Sequence, residues 1–179
     1  MSTPQIPAGT WNVDPTHSRV GFVARHMMVS KVRGSFADYT ADVVIADNLL
    51  ESSVSAVVQV GSVDTGNADR DGHLRTNDFF DVENYPTLSF RSTSIIADGD
   101  DYQLHGELTI KGITKPVEFD LEFEGLGADP WGGTRAGFEA KAVVDRTDFG
   151  VEFNAALETG GVLLGDKVTI ELDIQLVKA

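Results

Sequence analysis

The sequence predicts an all-β chain, an antiparallel sandwich or a closed barrel, on three observations. Apolar and polar residues alternate with period two through many segments, turn residues separate those segments, and only two stretches lack the pattern. The chain has 179 residues. Set against roughly 150 per domain, that length predicts one domain. A hydrophobic content of 41% supports a real core. No window carries the roughly 20 apolar residues of a membrane-spanning helix.

The elements follow in chain order. Strands are expected near residues 10–14, 18–28 and 34–46. Val54, Ala56, Val58 and Val60 then alternate with Ser55 and Gln59, although Val57 sits on the polar side. A strand near 86–96 precedes Asp98-Gly99-Asp100-Asp101, which reads as a hairpin turn. Leu104, Gly106, Leu108 and Ile110 face opposite to His105, Glu107 and Thr109. Gly112 to Pro116 breaks the alternation, and Val117, Phe119, Leu121 and Phe123 resume it against Glu118, Asp120, Glu122 and Glu124. Gly125 to Gly133 is too glycine-rich to be regular and reads as a loop. A strand near 133–145 follows. Ile170, Leu172, Ile174 and Leu176 close the series against Glu171, Asp173 and Gln175. Successive strand side chains point to opposite faces, so each segment has one dry and one wet face.

Two stretches are not strand-like. Asn67 to Phe80 lacks alternation and opens with an Asn able to cap a short helix, which Gly72 weakens without abolishing. Asp148 to Asp166 is a long connection of the kind that is often functional. Residues 1–9 read as a flexible N-terminal segment and 10–179 as the folded domain.

Charge narrows the partners. Fourteen Lys and Arg against 28 Asp and Glu give −14, and the cations are scattered along the chain. Nucleic acid needs a concentrated basic surface, and so does docking on an anionic membrane through a polybasic patch. The start Met1-Ser2-Thr3-Pro4-Gln5-Ile6-Pro7 has no positive region followed by an apolar one, so the expected location is the cytoplasm. There is no Cys, and hence no disulfide framework.

Several motifs then occur in order. They are Trp11-Asn12-Val13-Asp14-Pro15-Thr16-His17-Ser18 leading into Val20, Phe22 and His26, and Gly34-Ser35-Phe36. Asp64-Thr65-Gly66-Asn67-Ala68-Asp69-Arg70-Asp71-Gly72-His73-Leu74-Arg75 follows, then Phe79-Phe80 and Tyr85-Pro86-Thr87-Leu88-Ser89-Phe90-Arg91-Ser92. Leu108 to Val117 and Arg146-Thr147-Asp148-Phe149-Gly150 complete the set. Together they closely resemble the YceI-like family of polyisoprenoid-binding proteins, from about Thr10 to the C-terminus. The resemblance implies a lipocalin-like antiparallel β-barrel of about eight strands with one or two short helices, enclosing an apolar channel for a long isoprenoid or its phosphate. It also implies binding rather than catalysis, and a possible homodimer. Many relatives carry a leader that this sequence does not show.

The residues support a lumen on their own terms. A barrel of about eight strands holds either its own side chains or one small ligand. Ala24, Ala56, Gly106, Ala140 and Ala142 are small at inward positions and leave room, unless large neighbours fill it. Phe22, Phe36, Phe79, Phe80 and Phe90 are the expected walls. His26, Arg70 and His73 are the expected contacts to a ligand head, because a buried polar head needs donors. Each has a plainer reading: His26 as a satisfied interior histidine, and Arg70 as part of a helix-start charge cluster with Asp64 or Asp69. His17 is expected to staple a loop and His105 to lie exposed. Lys111 and Lys115 read as rim lysines guarding strand edges, and Arg146 as an anchor of the bend after it.

Asp69, Asp71 and His73 alternate as metal ligands would, but no second cluster follows, and no metal or cofactor is expected. No Gly-x-Ser-x-Gly elbow is present. Two rivals stand beside lipid binding: an isomerase or hydrolase of a small hydrophobic substrate with His26 or His73 as base, and a filled, ligand-free stress-related interaction module.

Overall fold

A computed structural model of the chain describes residues 5–27, 29–154 and 164–179. Among these residues the strands are β1 (Gly9–Val13), β2 (Arg19–His26), β3 (Ser30–Phe36), β4 (Tyr39–Ile45), β5 (Ser53–Gln59) and β6 (Val63–Asp64). Helix α1 (Ala68–Leu74) precedes β7 (Thr87–Asp98), β8 (Asp101–Ile110), β9 (Ile113–Ala128), β10 (Thr134–Asp145) and β11 (Leu164–Lys178). All pairings are antiparallel. The ring runs β1-β4-β5-β7-β8-β9-β10-β11 and returns to β1, an eight-strand closed barrel.

β11 is long enough to serve two partners. Its C-terminal residues pair with β1, where Trp11 lies opposite Lys178, and its N-terminal part pairs with β2, where Phe22 lies opposite Ile170. β1 and β2 are therefore one run with a break. Pro15 opens a short 3-10 turn, Pro15–His17, and the Asp14 carboxylate caps it by accepting from the Thr16 N–H at 3.0 Å. His17 Nδ1 lies 2.7 Å from Asp14 Oδ2, the staple expected of it. Arg135 on β10 donates to Asp14 at 2.6 Å, to Gln175 at 2.7 Å and to Asp129 at 3.1 Å, which ties the break to β10 and β11.

Inward rows make the core. Fully buried Trp11 packs with Ile6, Leu49, Ala136, Phe138 and Leu176 and closes one end of the barrel. Trp11 Nε1 donates to the Pro7 carbonyl at 2.9 Å. Of the N-terminal segment, residues 1–4 lie outside the described residues, while Ile6 is buried against this cluster.

Several expectations are corrected. The run 34–46 is two strands, β3 and β4, and β3 begins earlier, at Ser30. The chain breaks at Ala37–Asp38 because the Asp38 backbone is diverted: its carbonyl accepts from the Gln59 N–H at 2.8 Å, and its N–H donates to Ser62 Oγ at 3.1 Å. Gly125–Ala128 continues β9 rather than opening a loop, paired with Gly137–Thr134 of β10 across a bulge at Gly137/Phe138. The β8–β9 turn is only Lys111–Gly112, both left-handed at φ 52 and 74, so Ile113 to Pro116 belongs to β9. Lys111 Nζ donates to the Gly150 carbonyl at 3.1 Å and pins that turn to the chain after β10. The capped helix forms as expected, with Asn67 Oδ1 accepting from the Arg70 N–H at 3.0 Å. Of the expected strand 18–28, Met28 lies outside the described residues, and so do residues 155–163 of the long connection.

The Arg135 and His17 hydrogen bonds hold the Asp14 carboxyl down at about 2, from an ordinary 3.8. A carboxyl depressed in the folded state adds stability that is complete above its unfolded value and fades as pH falls through the folded one. Urea unfolding followed between neutral pH and pH about 2 is therefore expected to show an acid-side loss that Asp14→Asn flattens. An unchanged acid limb in Asp14→Asn contradicts this assignment.

Candidate ligand cavity

The inward faces of the ring do not meet along the axis. They leave a cavity of about 430 Å³, almost wholly apolar. Ligand pockets span roughly 300–1,000 Å³. On β11 the wall runs from Leu164 through Val168, Ile170, Leu172 and Ile174 to Leu176. At about 3.3 Å per residue and a tilt near 40°, this is a channel about 30 Å long. A filled barrel is not what the interior shows.

Small residues and glycine notches keep it open. Ala24, Ala56 and Ala140 line the cavity as expected. Ala142 is buried beside Phe149 and Leu108 and gives it no wall. Gly106 is not open space either: a Cβ there would fall 2.4 Å from the Phe90 ring. Gly34 does the same for Phe22, again at 2.4 Å. Each ring occupies the room its facing glycine vacates and so lies against the wall instead of across the lumen.

The structure brings all eight expected site residues to this one cavity. Phe22, Phe36, Phe79, Phe80 and Phe90 form wall, with ring centroids 5.6 Å apart for Phe22–Phe36 and 6.1 Å for Phe36–Phe80. His26 ends the inward row of β2 and faces the lumen, as do Arg70 and His73 of α1. The rim chemistry differs from expectation. Arg70 pairs with neither Asp64 nor Asp69; its Nε donates to Thr65 Oγ1 at 2.7 Å and its Nη2 to the Thr65 carbonyl at 2.8 Å. The Thr65 hydroxyl in turn donates to Asp71 at 2.6 Å. His73 Nε2 lies 2.8 Å from Asp78 Oδ2, and its ring meets Phe79 and Phe153 edge-on at 4.9 and 5.0 Å. Asp71 and His73 are thus engaged separately rather than converging with Asp69 as ligands. His105 lies on the outer face, half-buried rather than exposed, 3.8 Å from Glu118.

The chain matches the model of the YceI-like domain over residues 11–176. It belongs to the YceI-like family. Among curated relatives, a UPF0312 protein of Staphylococcus epidermidis is 40% identical over 163 residues, 90% of this chain and 93% of the relative. Protein YceI of Escherichia coli is 40% identical over 137 residues, 76% of this chain and 72% of the relative. Among solved structures, BcnA of Burkholderia cenocepacia superposes with a TM-score of 0.80 at 25% identity, covering 92% of this chain and 99% of that one. A polyisoprenoid binding domain from Saccharophagus degradans, implicated in plant cell wall breakdown, gives 0.70 at 17% identity over 94% and 98%. That last likeness is one of fold.

This YceI-like cavity also holds polar groups that the sequence did not single out as ligand contacts. Arg146 is only 8% exposed. Its Nε donates to the Gly165 carbonyl at 3.0 Å and its Nη1 to the carbonyls of Val151 and Phe153 at 2.8 and 2.9 Å, so it anchors the bend as expected. Among the described residues its Nη2 makes no hydrogen bond; it has Asp166 at 3.6 Å and belongs to a residue lining the cavity. Tyr39 lines it too; its buried hydroxyl has no hydrogen-bond partner among the described residues, and burial pushes its pKa up. Phe119 was legible in its alternating row, whereas Phe149 and Phe153 come from a stretch with no period to read.

Outside the lumen, Glu124, Glu139 and Asp173 bring carboxylates within 4.8 Å on adjacent strands, all exposed. Burial and the Glu139 charge push the Glu124 carboxyl up.

Gly34→Ala is expected to drive the Phe22 ring into the lumen. Overpacking of this kind costs about 1–3 kcal/mol, read as a lower urea midpoint. Weaker uptake of an apolar fluorophore is expected alongside it. Full uptake by a folded Gly34→Ala protein would show that the notch does not set the width.

Proposed function

We propose that this protein binds one long-chain lipid of the isoprenoid class, or its phosphate, with the tail along the channel and the head at the rim formed by His26, Arg70, His73 and Arg146. The observation that carries the proposal is an almost wholly apolar cavity of about 430 Å³ whose wall follows β11 from Leu164 to Leu176, with His26, Arg70, His73 and Arg146 in its lining. A tail entering from water gains roughly 25 cal/mol for each Å² of apolar surface covered. Among the described residues the Arg146 Nη2 makes no hydrogen bond and has only the Asp166 carboxylate at 3.6 Å, so it has donor capacity left for an anionic head, and guanidinium pairs well with phosphate oxygens. The family kinship and the polyisoprenoid-binding name of a same-fold neighbour support the same reading. The function is then sequestration or carriage with no bond made or broken, and the histidines orient the head rather than move protons.

Native mass spectrometry of protein purified without detergent is expected to show a co-purified lipid, or stoichiometric uptake of added polyprenol or polyprenyl phosphate. Ala56→Phe, which places a ring in the lumen, is expected to remain folded and to lose that uptake. Repeated absence of any bound lipid in the wild-type protein, with no uptake on addition, overturns the proposal.

A further inference from the structure

The chain-wide scatter of cations hides one exception. From Pro15 to Ala37 there is no Asp or Glu, yet Arg19, Arg25, Lys31 and Arg33 lie there. This stretch is the β2–β3 hairpin, and the remaining cations share the rest of the chain with all 28 acids.

Register sharpens the contrast. On the outer face of the barrel four cations lie opposite acids: Arg91 opposite Glu107, Lys141 between Asp120 and Glu171, Lys167 opposite Asp145, and Arg19 opposite Asp173. Near the hairpin tip the rule fails, because Arg25 lies directly opposite Lys31. Like charges in that position are destabilising. Among the described residues neither has an ion-pair partner, whereas Arg33 forms an exposed ion pair with Glu171 at 3.8 Å. The tip itself is apolar. The Val29 N–H donates to the His26 carbonyl at 3.3 Å to close it, with Met27 at φ 55, a left-handed position where Asn or Gly is the ordinary choice. Met27 is 46% exposed and Val29 84%. Neither residue is what folding alone would place there. His26, the next residue before the tip, faces the cavity, and its cross-strand partner Leu164 lines it too.

We propose that the β2–β3 hairpin docks the barrel on an anionic lipid surface, with Met27 and Val29 entering the headgroup region and Arg25, Lys31 and Arg33 meeting the lipid phosphates. An apolar tip flanked by cations is the chemistry of interfacial attachment. The strongly acidic body is repelled by the same surface, so the hairpin, and with it the His26 end of the cavity, is the end that approaches. Docking is reversible and nothing spans the bilayer. The role given to docking, delivery of the cavity to a lipid source, rests on the proposed lipid binding; the docking itself does not.

Flotation with phosphatidylcholine vesicles, with and without phosphatidylglycerol, tests it. The wild-type protein is expected to bind the anionic vesicles at low salt and to leave them as salt rises. Each basic residue near such a surface is worth about five-fold in partitioning, so Arg25→Gln with Lys31→Gln is expected to bind about 30-fold more weakly. Met27→Ser with Val29→Ser is expected to weaken binding with the salt dependence retained. Equal wild-type binding to neutral and anionic vesicles, or wild-type binding by the Arg25→Gln, Lys31→Gln protein, overturns the proposal. So does a fall in solution mass of that variant with unchanged vesicle binding, which would make the hairpin a contact between copies. Polyprenol offered from detergent micelles separates the two readings. Uptake from micelles without vesicle binding overturns docking alone, whereas vesicle binding without any uptake supports docking and overturns the lipid cargo.

Discussion

Ring closure rests on β1. Gly9–Trp11 pair with β4 on one side and Trp11–Val13 with the end of β11 on the other, and without that double pairing the sheet would stay open between β4 and β11. An open edge of this kind is an invitation to wrong pairing, and closure removes it. The break at Asp14–Ser18 makes the arrangement possible, because it lets one run of chain close the ring at the Trp11 end while β2 pairs with β11 further along. The Asp14–Arg135 contact then holds the break in register with β10 and β11. Its importance is positional: it fixes where the short closing strand stops and where the hairpin beside the cavity rim begins.

Closure alone does not make a channel. Eight strands enclose a space that ordinary side chains can fill. Here the filling is uneven. Trp11 closes one end, with Phe138, Tyr102 and Leu176 lining the cavity beside it, while further along Ala24, Ala56 and Ala140 stop short of the axis. Phe22 and Phe90 are turned aside by glycine notches. The lining atoms of an empty lumen lack dispersion partners on one side, so the folded chain retains a standing attraction for a slender apolar guest. Under the proposed function, the residues that forgo packing against one another are the ones that would line a bound tail.

Period-two alternation made most strands legible, down to the inward placement of Phe22, Phe36 and Phe90, because parity on a half-buried strand is fixed by the pleat. It failed where parity carries no message. Before Gly34 only Val32 stands between Lys31 and Arg33, too short an alternation to read as a strand, so the expected strand began at Gly34 instead of Ser30. Gly125 and Gly127 gave a false break at the end of β9. Phe79 and Phe80 were found from composition, since the stretch around α1 has no strand period. Phe153 and the free nitrogen of Arg146 were not legible as wall and donor, since both are set by hydrogen bonds from one side chain to carbonyls several residues away. Such bonds leave no trace in a one-dimensional pattern.

The energetics of a guest depend on where it comes from. From water, covering the tail is strongly favourable, but a long isoprenoid has little business in water. From a bilayer, the tail exchanges one apolar environment for another, and the hydrophobic term nearly cancels. What then decides binding is whatever the cavity offers that lipid does not: close contact along a lumen of fixed width, and donors such as Arg146 for the head. A route through water would impose the full hydrophobic cost as a barrier, so a carrier with this cavity works best when its rim touches the surface it loads from. The acid-free hairpin and the cavity end beside His26 occupy the same part of the barrel, and under the proposed lipid binding their neighbourhood would serve loading from a surface.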